Sequence, residues 1–376
     1  MRIKYITNVR IPTSRAHGFA IMKMCNEFAK AGVQTELFIP SKGNNENKED
    51  PFDYYKIDRN FKIEKIPSLD LLGSTLKFGR IFYWIDSLSF LLSAKLKINL
   101  TAGDILYTRD FITTLFFSKK DFIALELHSV PTSRFLFKLA LKKPKIFFVL
   151  NDYIKQDLVS MGVNPEKIFI SPSGVDVNLN KMAVSQEEFK KSFGLPLDKK
   201  IVLYSGQFYS WKGVETLADS AKLVPETCFV FVGGAEPEFS SFVEKYKNVH
   251  NIKVLEFQPK EKSLQFMLVS DVLVIPNSGK SRISSHYTSP LKLFEYMTSK
   301  KPIVASNLPS IREIVSENDC VFAEPDDPES FAEAIKKVIN NPDLTQLISQ
   351  SAYSKVVQYS WDKRVKNILK NIQSML

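Results

Sequence analysis

Lys292 and Glu295 stand three residues apart in a stretch, 287–297, that reads Y-T-S-P-L-K-L-F-E-Y-M. On a helix that spacing puts an ammonium and a carboxylate on one side, close enough to act on a single ligand. Ser289 and Pro290 have the form of a helix entry, with the serine expected to cap free amides and the proline to take the first turn. Unpaired amides at a helix start, joined by a lysine, suit an anionic group such as a diphosphate. Glu295, one turn on, can accept from a pair of sugar hydroxyls. An ordinary amphipathic helix with a surface Lys/Glu pair meets the same pattern, because Leu291, Phe294 and Met297 also fall at helical spacing. A second place is the run from Ser205 and Gly206 to Lys212 and Gly213, a glycine turn leading to a lysine, which is a layout for holding phosphate that many strand-to-helix turns share. Two strand ends carry polar residues, Arg109 after one and His128 after the strand containing Glu126, and open α/β sheets hold ligands at such ends.

The elements that must position these groups read as alternating strands and helices. Ile3 opens a first strand, 19–30 follows as a helix with Ile21, Met24, Cys25 and Phe28 on one face, and 33–39 is a second strand. Residues 41–60 are polar, charged and Asn-rich and read as a mobile loop. Short apolar runs at 104–107, 122–127, 145–150 and 167–170 continue the pattern, and 201–204, 228–232, 252–255 and 271–275 begin it again in the second half. Asn151 caps a helix beginning at Tyr153.

The chain has 376 residues, 44% of them hydrophobic, enough for two cores of ordinary size. Its three cysteines, Cys25, Cys228 and Cys320, fit neither a disulfide framework nor a zinc spacing, which points to a reducing, cytoplasmic setting. The start lacks the apolar core of a signal peptide, and no apolar run approaches the roughly 18 residues of a membrane helix. Residues 1–175 carry 26 Lys and Arg against 17 Asp and Glu, whereas 176–376 carry 25 against 24. A basic N-terminal half attracts anionic membranes or acceptors, and no nucleic-acid-binding signature accompanies it, so nucleic acid is not an expected partner. Residues 71–100 are aromatic and basic, interrupted by Asp86. They read either as a core helix or as a helix lying at a membrane interface, which would place the protein at the inner face of the membrane.

The stretch 289–302, S-P-L-K-L-F-E-Y-M-T-S-K-K-P, resembles the nucleotide-sugar site of family 4 glycosyltransferases of the GT-B fold, in the branch whose signature runs S-P-L-K-L-F-E-Y-M-A-S-G-K-P. The resemblance covers almost the whole chain, strongest over 287–313 and weak between 40 and 100. It implies an α/β GT-B fold of two Rossmann-like domains facing across a cleft. These would be an acceptor-side domain at 1–176, a linker at 177–199, a nucleotide-sugar domain at 200–355 and a C-terminal helix, 356–376, crossing back to the first domain. The segment 126–129 resembles the family's E-x-H element, which implies an active-site histidine at His128, and 206–213 resembles the G-R-x-x-x-x-K-G element, which implies that Lys212 neutralises the departing diphosphate.

The donor is then expected to touch Gly18, Gln207, Ser289, Leu291, Lys292 and Glu295, with His17, Arg109, Arg282 and Tyr287 as further candidates. Two positions depart from the family: Gln207 stands where an arginine is usual, and Tyr287 where a second glutamate is usual. Lys292 or Arg282 can compensate for the lost charge. The activity implied is retaining transfer of a hexose from a UDP- or GDP-sugar to a hydroxyl of a glycan or lipid-linked acceptor, as in cell-surface polysaccharide assembly. No metal and no cofactor beyond the sugar donor is expected. A nucleotide-sugar epimerase of the same fold and a non-catalytic partner subunit are the competing readings.

Overall fold

In the seven-stranded parallel sheet of the first half, the central strands are short and almost wholly buried, as a sheet covered on both faces requires, while the edge strand Lys62–Ile66 buries only Ile66. The computed structural model describes residues 1–41, 49–71, 79–131, 134–179 and 184–376. The strands are β1 (Arg2–Ile6), β2 (Gln34–Pro40), β3 (Lys62–Ile66), β4 (Asp104–Thr108), β5 (Phe122–Leu127), β6 (Ile146–Val149) and β7 (Ile168–Ile170), in the order β3-β2-β1-β4-β5-β6-β7. A second, six-stranded parallel sheet holds β8 (Ile201–Gly206), β9 (Cys228–Gly233), β10 (Ile252–Leu255), β11 (Val272–Ile275), β12 (Ile303–Ser306) and β13 (Val321–Ala323), in the order β10-β9-β8-β11-β12-β13. Both orders reverse beside the first strand, between β1 and β4 and between β8 and β11, the switch points at which such sheets take ligands.

The chain divides into two compact units: 1–172 together with 361–376, and 173–360. The helix Trp361–Gln373 therefore belongs to the first unit, where it lies beside the helix Ala16–Lys30. Trp361, Val365, Ile368, Leu369 and Ile372 form its buried stripe.

Several local expectations are corrected. The first helix starts at Ala16, not Phe19, so His17 and Gly18 lie in its opening turn. The polar segment 41–60 includes a helix, Pro51–Tyr55, capped by Asp50. Its Phe52 and Tyr55 are buried, and the Tyr55 hydroxyl both accepts from the Thr13 amide and donates to the Thr13 carbonyl, each at 2.8 Å. The part of that segment at 42–48 lies outside the described residues. The expected linker 177–199 contains the helix Gln186–Ser192, whose Phe189 packs edge-on against Phe266 in the second unit's core. Phe193 packs on the same ring and Leu195 is buried in the same core.

The turn after β8 is fixed by close backbone approach. Gly213 has φ +66°, and a Cβ there would stand 1.8 Å from the Pro276 carbonyl oxygen at the end of β11. The Trp211 carbonyl accepts from the Ser278 amide and the Ser284 hydroxyl, at 3.0 and 3.1 Å, and stitches the two loops together. Gly213→Ala is expected to lower unfolding free energy by about 2 kcal/mol or more, from left-handed strain plus a clash with backbone that cannot move aside. Denaturant midpoints check this; a midpoint equal to wild type would show that the loop is not held as described.

Candidate functional site

In the second unit, the loop after β8 and the start of the helix Leu291–Thr298 bring Lys212 and Lys292 together. Lys212 ends a short turn, Ser210–Lys212, and its ammonium lies 4.0 Å from the centroid of the Trp211 ring. Lys292 is the second residue of its helix, with its ammonium 4.1 Å from the Tyr204 ring centroid and against Gly206. A Cβ on Gly206 would come 2.1 Å from that nitrogen, so glycine there is what admits the lysine. Neither ammonium forms an ion pair among the described residues. Burial pushes the Lys212 pKa down to about 8. Burial and then the neighbouring charge of Lys212 hold Lys292 well below the usual lysine range. Two desolvated cations within electrostatic reach of each other are unfavourable until an anion joins them.

The helix start adds to this. Ser289 does not cap the helix: its hydroxyl accepts from the Ser173 amide at 3.3 Å, while its carbonyl accepts from the Ser173 hydroxyl at 3.0 Å. Pro290 occupies the cap position and has no side-chain bond to offer, which leaves the first amides, at Leu291 and Lys292, pointing out of the helix without a side-chain cap. Glu295 pairs through Oε1 with Lys260 at 3.0 Å, a partner that sequence spacing did not reveal. Gln207 follows β8, and its side-chain oxygen is buried without a protein partner. Tyr287 is buried at the end of the turn Ile283–Tyr287, and the guanidinium of the exposed Arg282 lies 5.4 Å from its ring centroid. Lys292, not Arg282, is thus the second cation beside Lys212. Asp327 caps the helix Pro328–Ile339, and Asp326 accepts from the Gly279 amide.

In the first unit, the ends of β4 and β5 at the switch point hold a charged cluster. Glu126 is buried and accepts from Tyr107, from His128 Nε2 at 2.6 Å and from Arg364 at 3.0 Å. Arg109 donates to His128 Nδ1 at 2.7 Å. An arginine can only donate, so Nδ1 must accept and the ring proton sits on Nε2, facing Glu126. Both nitrogens of His128 are therefore engaged within the protein. Despite burial, Arg364, His128 and Arg109 hold the Glu126 carboxyl well below its usual range, whereas burial and Arg109 push His128 down to about 4. His17 is half-buried, and burial with the charges of Arg109 and Arg15 brings it to about 4 as well. Gly18 is required for packing: a Cβ would meet the Tyr55 hydroxyl at 2.3 Å and Thr13 at 2.5 Å. Arg364 escaped sequence reasoning, although a charge at that position interrupts the buried stripe of its own helix. It also donates to the carbonyls of Pro172 and Ser171.

Residues 185–355 match the family model of glycosyl transferases group 1. Among curated proteins, the chain is 22% identical over 228 residues to a D-inositol 3-phosphate glycosyltransferase of Xylanimonas cellulosilytica, covering 57% of this chain and 53% of that one. It is 26% identical over 217 residues to an Escherichia coli UDP-Gal:alpha-D-GlcNAc-diphosphoundecaprenol alpha-1,3-galactosyltransferase, covering 55% and 54%. The chain spans about half the length of the curated relatives it matches. Among solved structures, Anabaena Alr3699/HepE in complex with UDP-glucose superposes over 100% of both chains with a TM-score of 0.76 at 15% identity. Sucrose-phosphate synthase from Thermosynechococcus elongatus superposes with a TM-score of 0.78 at 16% identity, over 100% of this chain and 98% of that one. The fold is that of the GT-B glycosyltransferases, with two parallel-sheet Rossmann-like domains.

Two outcomes follow from the first-unit cluster. Arg364→Met leaves Glu126 buried with a lost partner and is expected to destabilise the fold by about 3–5 kcal/mol in denaturant titrations. In the unfolded chain both histidines return to their ordinary value of 6.5 and bind protons before the native state does. Their contribution to stability is therefore full above pH 6.5 and is lost as pH falls toward about 4. Urea midpoints across that window are expected to fall less steeply in His17→Gln/His128→Gln than in wild type; equal slopes would contradict the assignment.

Proposed function

We propose that this chain transfers a hexose from a UDP-sugar to a hydroxyl of a glycan or lipid-linked acceptor, with retention at the anomeric carbon and without a required metal ion. The observation that carries the reading is the Lys212–Lys292 pair beside the uncapped start of the helix Leu291–Thr298. A diphosphate would receive two ammonium groups and the amides of Leu291 and Lys292, in a setting where desolvation strengthens each contact. The group 1 family match over 185–355 and the UDP and UDP-glucose complexes of Alr3699/HepE support a nucleotide-sugar donor, and the Escherichia coli relative's name supports a UDP-sugar and a lipid-linked acceptor. The three unpaired, buried cysteines fit a cytoplasmic site of action.

Electrostatic stabilisation of the departing diphosphate does most of the catalytic work in this reading. Lys212 and Lys292 meet the charge that develops as the glycosidic bond breaks, and Lys292 supplies the charge that Gln207, standing where the family resemblance implies an arginine, does not. Glu295 keeps one oxygen for the ribose hydroxyls while Lys260 fixes the other. His128, bonded at both nitrogens to Arg109 and Glu126, is given no proton-transfer role. The acceptor hydroxyl attacks on the face the donor leaves, its proton passing to the diphosphate oxygen.

Thermal shifts and turnover with UDP, GDP and their common sugars, with and without magnesium, test this. Selective stabilisation by UDP with sugar release or transfer is expected, and Lys212→Ala is expected to lower turnover about a hundredfold, the effect of losing one charge stabiliser. Full activity in Lys212→Ala would sink the diphosphate assignment. Absence of any nucleotide response would turn Gln207 and Tyr287 into marks of a non-catalytic subunit.

A further inference from the structure

The helix Gly79–Lys97 has two apolar faces, of which only one is covered. Phe90, Leu91 and Ala94 pack with Ile6, Leu106 and Phe117 in the first unit's core. Asp86, which prevents this segment from reading as a bilayer span, is buried and accepts from the Leu71 amide. The opposite face carries Ile81, Trp84, Ile85, Leu88, Leu92 and Leu96, recurring every three or four residues and all exposed, Leu96 at 89%. The core-helix reading holds for one face of Gly79–Lys97, and the other face is left exposed.

A second short helix, Arg134–Ala140, behaves likewise. It buries Phe137 edge-on against Phe111 and exposes Leu136, Leu139 and Phe135, the last at 75%. The two helices are neighbours through Phe117: the Lys95 ammonium lies 5.1 Å from its ring, and Lys143, just after the second helix, donates to the Leu115 and Phe117 carbonyls. Single exposed apolar side chains are ordinary, but a stripe of six along one helix with three more beside it is not. Lys95 lies on the first helix, Lys138 on the second and Lys142 just after it, and Lys119 and Lys120 follow soon after Phe117; all are exposed and none is ion-paired among the described residues.

We propose that this face of the first unit docks on an anionic lipid bilayer. The apolar stripe would enter the boundary between headgroups and acyl chains, and the lysines would lie against lipid phosphates. No described helix is long and apolar enough to cross a membrane, so the contact is interfacial. Charge selects this occupant. A second copy docked on the same face would press five unpaired lysines against five, and a nucleic acid would take the lysines while leaving the aliphatic stripe in water. None of these residues belongs to the donor site, so the inference stands apart from the proposed transfer reaction.

The test is sedimentation of the full chain with vesicles of phosphatidylcholine and phosphatidylglycerol, against phosphatidylcholine alone. Partition onto the anionic vesicles is expected, reduced about tenfold or more by Leu92→Ser/Leu96→Ser and likewise by Lys119→Glu/Lys120→Glu. Because these side chains are exposed, thermal melts of both variants should match wild type. In wild type, anionic vesicles are also expected to blue-shift tryptophan emission, a change absent from Trp84→Phe. Absence of wild-type binding, binding indifferent to both double substitutions, or a dimer in solution that Leu92→Ser/Leu96→Ser dissociates would each overturn the proposal.

Discussion

Two buried ammonium groups within electrostatic reach of each other, neither ion-paired among the described residues, set the terms for the second unit. Lys212 and Lys292 repel each other, and burial raises the cost of charging either. A fold tolerates such a pair where the surroundings force it, and here they do. Gly206 leaves room for the Lys292 ammonium, Tyr204 and Trp211 supply the aromatic faces beneath the two cations, and Gly213 lets the lysine-bearing turn lie on the end of β11. The turn after β9 belongs to the same construction: the Gly234 amide donates to the Gly206 carbonyl at 2.9 Å, and a Cβ on Gly233 would collide with that oxygen. Glycines cluster around this loop because backbone must approach backbone there, and the cations stand where that approach leaves them.

The first unit is organised by the opposite device, a buried carboxylate with more donors than it needs. Glu126 gathers Tyr107, His128 and Arg364, so its charge is satisfied in a region where desolvation alone would neutralise it. Such a pair need not add net stability over an apolar replacement, but losing one partner is costly, which makes the arrangement specific. It fixes the ring of His128 and its tautomer, and it ties the helix Trp361–Gln373 to β5 through a residue more than two hundred positions away in sequence.

Much of the fold was legible because buried parallel strands read as continuous apolar runs and the helices between them carry spaced stripes. The donor helix was legible at Leu291, Phe294 and Met297 for the same reason, and Lys212, Lys292, Arg109 and His128 were placed at strand or helix ends where the structure has them. What failed depends on partners distant in sequence. Ser289 looks like a cap until Ser173, from the other end of the unit's chain, takes its hydroxyl and carbonyl. Gly18 has a packing duty that its local sequence does not announce, because Tyr55, from a segment too polar to read as ordered, fills the space beside it. The linker reading of 177–199 failed on Phe189, Phe193 and Leu195, which join the second unit's core, and the pairing of Glu295 with Lys260 carries no local signal at all.

The most direct measurement of the central claim is calorimetric titration of the full chain with UDP near pH 8, where Lys212 is half-charged, in two buffers of different ionisation enthalpy. An anion seated between Lys212 and Lys292 must raise both pKa values, so binding should take up protons, and the uptake should diminish in Lys292→Met. Binding with no proton uptake, or uptake unchanged by that substitution, would contradict the placement of a diphosphate between the two lysines.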